Sequence, residues 1–133
     1  MLLIPAAHGD VLDRLSILAI KLSRINRPEQ RANVQKEYQA LLEVWLSAGL
    51  PVPEQEPLYQ QLFQVNEQLW EIEDQLRFFE AQQCFDAAFI ALARQVYQKN
   101  DRRAHLKRKI NELFQSPFFE EKLHPSYPGA PCL

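Results

Sequence analysis

Residues 58–79, LYQQLFQVNEQLWEIEDQLRFF, decide the fold because an apolar residue returns every three or four positions without a break. The repeat consists of Leu58, Leu62, Val65, Leu69, Ile72, Leu76 and Phe79. This period predicts one long amphipathic helix. A second row, formed by Tyr59, Phe63 and Trp70, makes the apolar arc wider than the seam of a two-stranded coiled coil. The helix is therefore expected to have several neighbours in a bundle.

The flanking residues mark where this helix begins and ends. Pro57 suits the first position of a helix, because the N–H that proline lacks would have no partner there. We predict a helix over residues 57–82, about 37 Å long. The preceding segment LPVPEQEP, residues 50–57, is rich in proline and predicts a restrained connector, too short to separate domains.

Three further helices are predicted over residues 9–26, 28–48 and 86–115. The first has one apolar face, made by Val11, Leu15, Leu18, Leu22 and Ile25. Pro28 suits the first position of the second helix, and Asp86 suits the cap of the fourth. Phe85 is expected to pack back onto Ile90 at that cap. The fourth helix is expected to turn Phe89, Leu92, Val96, Leu106, Ile110, Leu113 and Phe114 inward.

The composition agrees with a single helical domain. The chain has 133 residues, of which 47% are hydrophobic, and only three are glycine. We predict an all-α, four-helix antiparallel bundle in which the third and fourth helices form a long hairpin. The tail, residues 116–133, is rich in proline and is expected to be extended, with Phe118, Phe119, Leu123 and Tyr127 docking on the bundle.

Hydropathy, cysteines and histidines indicate the class of protein and its location. No run approaches the roughly 20 apolar residues that span a bilayer, and the first ten residues lack the basic start of a secretory signal. We expect a cytoplasmic protein with no membrane span. Cys84 and Cys132 do not form a disulfide framework and are expected to be free thiols. The three histidines lie in separate segments, so we predict no metal site and no cofactor.

The strongest charge anomaly is YQKNDRRAHLKRKIN, residues 97–111, which carries six cations and one carboxylate in a chain of net charge −2. Projected on a helix, Arg103 falls within the apolar arc, and Asn100 and Lys107 fall on its edge. Arg102, Arg108 and Lys109 point elsewhere and are expected to be solvated. Because the cations are spread around the helix, nucleic-acid binding through residues 99–109 is only an alternative, not the favoured hypothesis.

A guanidinium in an apolar seam needs a partner. Along a hairpin that turns near residue 84, Glu73 lies some 10 Å from the level of Arg103, at about 1.5 Å per residue. Asp10 or Asp13 of the first helix is the better partner. The polar side of the first helix also holds Arg14 and Lys21, and it has two interpretations. It is either a solvated face with an Asp10–Arg14 pair or a polar cluster shared with Arg103.

The remaining candidates lie on the third helix. Glu73 and Arg77 are four residues apart, which predicts an ion pair on the helix surface. The candidates for a ligand site or polar network are therefore Asp10, Asp13, Arg14, Lys21, Glu73, Arg77, Asn100, Arg103 and Lys107. A pocket of Arg14, Lys21, Arg77 and Arg103 that holds a small anion is one hypothesis. The chain lacks a nucleophile motif and a glycine-rich phosphate loop, so the evidence for an enzyme is thin.

Three stretches together resemble an uncharacterised family of small bacterial helical proteins, a domain of unknown function. They are GDVLDRLSILAIKL, LWEIEDQLR and FIALARQVYQKNDRRAHLKRKIN, and with EEK they extend the resemblance from Gly9 to Lys122. The matching positions are Gly9, Asp13, Lys21, Trp70, Glu73, Asp74, Arg77, Arg94, Tyr97, Asn100, Asp101, Arg103, Ala104, Lys107 and Asn111. The resemblance implies no activity, but it places polar residues of three helices in one short set.

Taken together, the sequence favours a non-catalytic helical interaction module. Wide apolar arcs on long helices predict a protein partner or a homo-oligomer. The alternatives are binding or turnover of a small anionic ligand inside the bundle, and nucleic-acid binding.

Overall fold

The structure, a computed structural model, describes residues 1–129. It contains four α-helices: α1 (His8–Arg24), α2 (Pro28–Ser47), α3 (Pro57–Ala81) and α4 (Ala87–Leu113). A short 3₁₀ turn, Pro53–Gln55, lies in the connector before α3. No strand occurs in residues 1–129, so the prediction of an all-α fold is confirmed. None of the helices in this part of the chain is long and apolar enough to cross a membrane.

Local chemistry explains the starts of α3 and α4. The Glu56 carboxylate accepts a hydrogen bond from the N–H of Leu58 at 3.2 Å, just before Pro57 opens α3. The Asp86 carboxylate accepts from the N–H groups of Ala88 and Phe89, at 3.1 and 3.2 Å. Both caps satisfy amides that have no partner within the helix.

Successive helices run antiparallel. Arg14 pairs with Glu37 near one end of the α1–α2 pair, and Arg31 reaches the carbonyl of Leu22 near the other. In the α3–α4 hairpin, Arg102 donates to Gln61 at the base, and the rings of Phe79 and Phe89 pack at the tip. Helix α1 packs against each of the other three helices and is the centre of the bundle.

The core lies where α1 meets the base of the hairpin. Its buried members are Leu12, Leu15, Trp45, Tyr59, Leu62, Val65, Leu69, Leu106 and Ile110. The predicted single apolar face of the first helix is incomplete, because Leu12 and Ile20 are also fully buried. A helix with neighbours on three sides buries more than one stripe. By contrast, α2 buries only Trp45, whose indole N–H donates to the carbonyl of Pro51 at 2.7 Å.

Gly9 sets the distance between α1 and α4. Its N–H donates to Asn111 Oδ1 at 2.6 Å. A Cβ at this position would lie 2.5 Å from the carbonyl oxygen of Lys107, inside the contact distance of any side chain. Only glycine lets the start of α1 approach the α4 backbone this closely.

We expect Gly9→Ala to lower the free energy of unfolding by about 1–3 kcal/mol, because α1 and α4 must move apart to admit the methyl group. Urea denaturation followed by circular dichroism measures the change. Gln39→Ala, on the exposed face of α2, serves as the control and should change the unfolding free energy by less than about 0.5 kcal/mol. Equal stability of the two variants would contradict the close approach.

The distal part of the α3–α4 hairpin is not covered by α1. Helix α1 ends at Arg24, which pairs with Glu71 at 3.1 Å, so the hairpin continues for about ten residues beyond it. None of the residues 73–105 is buried. The expected contact between Phe85 and Ile90 stays a prediction. The Phe85 ring packs on the ring of Phe89, with centroids 5.2 Å apart, and Ile90 is 56% exposed.

Expectations for several apolar residues are wrong. Leu113 was expected to face inward, but its side chain is 52% exposed, whereas Ile110 and Asn111 in the same turn are buried. In the tail, Leu123 was expected to dock, but its side chain is 96% exposed. Phe118 and Phe119 are also exposed, and only Tyr127 is half-buried on α4.

Candidate functional site

An ion pair between Arg103 of α4 and Asp13 of α1 forms the centre of the candidate site. Arg103 Nε lies 2.8 Å from Asp13 Oδ1, and Nη2 lies 2.5 Å from Oδ2, so the guanidinium donates hydrogen bonds to both carboxylate oxygens. Only 8% of the Asp13 side chain and 30% of the Arg103 side chain are exposed. A bidentate ion pair of this kind is stronger and more directional than an ion pair with a single hydrogen bond.

Two neighbours complete the hydrogen bonding of Asp13. The side-chain amide of Asn66 in α3 donates to Asp13 Oδ1 at 2.9 Å and to Ser16 Oγ at 2.7 Å. The Ser16 hydroxyl donates to the backbone carbonyl of Asp13 at 2.7 Å. We call Asp13, Ser16, Asn66 and Arg103 the polar lock, because they join α1, α3 and α4. The Asp13 hydrogen bond raises the pKa of Arg103 despite burial, which acts in the opposite direction.

We expect Asp13→Ala to lower the free energy of unfolding by about 2–3 kcal/mol, because it leaves the Arg103 charge half-buried without its carboxylate. This is below the roughly 3–5 kcal/mol of a fully buried pair, since part of the guanidinium reaches solvent. Chemical denaturation measures the loss. Replacing both partners, Asp13→Leu with Arg103→Leu, should cost less than the two single changes together.

The control for this prediction is Glu73→Ala, which removes an exposed ion pair with Arg77 and should cost less than about 1 kcal/mol. If Asp13→Ala were no more destabilising than Glu73→Ala, the polar lock would not hold the helices together.

The structure separates the other candidate residues. Asn100 Oδ1 lies 3.5 Å from Arg103 Nη1, at the edge of the polar lock. Lys107 lies between Asp10 and Glu120, with Nζ 3.0 Å from a carboxylate oxygen of each. Arg14 points to α2 and bonds Glu37 at 2.8 Å, so the Asp10–Arg14 pair does not form. A solvated face is therefore the wrong interpretation for Asp13, though it fits Arg14.

A cleft of about 430 Å³ opens beside the polar lock, between α1, α3 and α4. It is lined by Ile17, Ile20, Asn66, Leu69, Trp70, Glu73, Asp74, Arg77, Asn100 and Arg103. Arg14 and Lys21 are not among these residues, so the four cations proposed for an anion pocket do not come together. Arg77 and Arg103 do line the cleft, but each already pairs with a carboxylate.

Basic side chains of α4 form ion pairs with acidic residues of the C-terminal tail. We call residues 117–129 the C-terminal strap. Glu120 bonds Lys107 at 3.0 Å, and Glu121 bonds Arg108 at 3.1 Å. Farther along, the Tyr127 hydroxyl donates to Asp101, and its ring packs edge-on against Tyr97. Arg108, which was expected to be solvated, keeps 38% of its side chain exposed and pairs with Glu121.

Comparison with known proteins gives one result. Residues 3–129 match a family described as "Family of unknown function (DUF6165)". The chain belongs to this family. The resemblance to a domain of unknown function is thus confirmed. No curated protein and no solved structure matches this DUF6165 chain.

Charge balance at the strap shifts two pKa values in this DUF6165 protein. The Lys107 ammonium, by hydrogen bonding and by charge, lowers the pKa of Glu120 below its ordinary 4.5. Burial alone would lower the pKa of Lys107, but the hydrogen bonds that its ammonium donates to Glu120 and Asp10 outweigh burial and raise that pKa. A carboxyl with a lowered pKa stabilises the folded contact above pH 4.5 and loses this effect as the pH falls through the lowered value.

We therefore expect the Glu120 carboxyl to titrate below pH 4.5 and the strap to detach from α4 only in more acidic solution. Carbon-detected NMR of the glutamate side chains measures the midpoint. Lys107→Gln should return the Glu120 midpoint toward 4.5, whereas Lys109→Gln, which changes an exposed neighbour, should leave it nearly unchanged. An unshifted midpoint in the unsubstituted protein would rule out the contact.

Histidine and cysteine side chains do not assemble a metal site in the described residues. No group of three or more His, Cys, Asp or Glu in residues 1–129 could hold a metal ion. The ring of His8 stacks on Phe114, with centroids 5.5 Å apart, and meets Trp45 edge-on. Cys84 is a free thiol near the hairpin turn, and Cys132 lies outside the described residues.

Proposed function

We propose that this chain is a non-catalytic helical interaction module that associates with a second copy of itself. The contact surface is the distal hairpin, which we define as residues 73–96 of α3, α4 and their connection. The observation that carries the proposal is that no residue between Ile72 and Leu106 is buried, although this stretch keeps an apolar repeat.

The apolar side chains of the distal hairpin support this proposal. Two helices that pack only on each other cover one seam and leave the flanking rows open. Phe78 and Ile90 are 60% and 56% exposed, and Phe85 is exposed beside them at the turn. The rings of Phe78, Phe79, Phe89 and Phe85 contact one another in that order. A contiguous apolar surface is rare on monomeric proteins and usually marks an interaction site.

The shape of the hairpin favours a second hairpin as the partner. Two helical hairpins that pack side by side and antiparallel form a four-helix arrangement with short connections. A two-fold axis halfway along the distal hairpin makes this contact closed, because the same surface is used by both copies. Each copy then supplies the helices that the other lacks.

The test is the molar mass in solution. Light scattering after gel filtration, or sedimentation equilibrium, should give a mass that rises toward that of a dimer as concentration increases. Phe78→Ser with Ile90→Ser should give a monomer at the same concentrations. Because both side chains are exposed in the single chain, the helical circular dichroism signal should be unchanged.

Leu123→Ser is the matched control, because it removes an exposed apolar side chain from the strap rather than from the hairpin. It should leave the mass unchanged. A monomeric mass at every concentration, or equal loss of association in the Leu123 variant, would contradict the proposal.

The other hypotheses from the sequence remain predictions. A small anion in the cleft would have to compete with Glu73 for Arg77 and with Asp13 for Arg103. Nucleic-acid binding would have to displace the strap and use cations that lie on different sides of α4. A cytoplasmic location in a bacterial cell also stays a prediction.

A further inference from the structure

The C-terminal strap is held on α4 by an alignment of charges. Glu120 and Glu121 are adjacent in the strap, and the residues they bond, Lys107 and Arg108, are adjacent on α4. The Arg108 guanidinium also lies over the ring of Phe119, 5.3 Å from its centroid. In the strap, an aromatic residue and the two acidic residues after it thus contact two neighbouring cations of α4.

Packing contributes little to this contact. Phe118, Phe119 and Leu123 are all exposed, and the strap has no regular secondary structure between residues 118 and 127. The Lys107 side chain is only 15% exposed, whereas Glu120 and Glu121 keep 52% and 70% of theirs in solvent. Exposed ion pairs are weak and are sensitive to salt.

The α4 side of the contact does not depend on the strap. Lys107 also pairs with Asp10 of α1 at 3.0 Å, and Arg108 lies 3.7 Å from Glu112 of its own helix. Each cation therefore has a second carboxylate partner outside the strap. A cavity of about 180 Å³ remains between α4 and the strap, bordered by Asn100, Ala104 and Lys122 as well as by Arg103, Lys107 and Glu120.

We propose that the C-terminal strap is an internal ligand on a peptide-binding face of α4, made by Lys107 and Arg108. The partner is an extended protein segment in which an aromatic residue precedes two acidic residues, and it binds by displacing the Phe119–Glu121 part of the strap. This surface is separate from the distal hairpin, so the inference does not rest on self-association.

The geometry favours an acidic peptide over a nucleic acid. Arg102 bonds Gln61 on α3 at 3.1 Å and so lies on a different side of α4 from the strap. Arg103, which also borders the strap, is already paired with Asp13. The strap face therefore offers two further cations rather than a row that could follow a phosphate backbone. The ring of Phe119 against Arg108 is a contact that a peptide aromatic reproduces directly.

The experiment uses a fluorescent peptide with the sequence of residues 116–124, SPFFEEKLH, and the full chain. Fluorescence anisotropy should show tighter binding to the Glu120→Gln/Glu121→Gln chain than to the unsubstituted chain, by roughly tenfold, the scale of two lost exposed ion pairs. The same peptide with glutamine in place of both glutamates should bind the substituted chain much more weakly. Added salt should weaken the binding of the acidic peptide.

Two further variants assign the binding face. Adding Arg108→Gln to the Glu120→Gln/Glu121→Gln chain should abolish the gain in affinity, whereas adding Lys109→Gln, a change to the exposed neighbour, should preserve it. Circular dichroism confirms that each chain is folded.

Three outcomes would overturn the proposal. The first is equal affinity of the peptide for the unsubstituted chain and the Glu120→Gln/Glu121→Gln chain. The second is equal binding of the acidic and glutamine peptides. The third is tighter binding of a single-stranded oligonucleotide than of the acidic peptide to the Glu120→Gln/Glu121→Gln chain, which would identify the face as a nucleic-acid site instead.

Discussion

The pair between Asp13 and Arg103 is the constraint on which the arrangement of the helices depends. A carboxylate that is 8% exposed is stable only where its charge and lone pairs are met, and here α4 supplies the charge and α3 supplies an amide. These requirements set the rotation of α1 about its own axis and its height along the hairpin. Apolar packing alone is compatible with several rotations and heights of α1. The hydrogen bonds of the polar lock are directional and are compatible with few of them.

The same pair explains why a basic run can lie within an apolar helix. Each cation on α4 that leans toward the bundle meets an acid from a different part of the chain: Asp13 and Asp10 from α1, and Glu120 and Glu121 from the strap. The basic run of α4 is thus a set of separate ion-pair sites for α1 and the strap rather than one basic surface patch. The open apolar surface lies elsewhere, on the distal hairpin, and this separation of charged and apolar surfaces gives the molecule two independent faces.

How much of this could be predicted from the sequence differs from feature to feature. The partner of Arg103 could be predicted, because a guanidinium within an apolar arc needs an acid and the hairpin geometry disfavours Glu73. The burial of Leu12 and Ile20 could not, since periodicity identifies one stripe and cannot show that α1 has neighbours on three sides. The exposure of Phe78 and Ile90 could not either, because an apolar pattern does not show whether another helix covers it. Glu120 and Glu121 lie in a tail without a period, and their only signal was opposite charge.

The central place of α1 also has a consequence for how the protein is made. Its hydrogen bonds to α4 join Gly9 to Asn111 and Asp13 to Arg103, separations of 102 and 90 residues along the chain. During synthesis the first helix leaves the ribosome long before the helix that it needs. Until α4 emerges, Asp13 lacks the countercharge of Arg103, and the side of α1 that packs on α4 faces water or a chaperone. Completion of the core therefore waits for α4, and a chain that lacks α4 leaves the α4-facing side of its central helix uncovered.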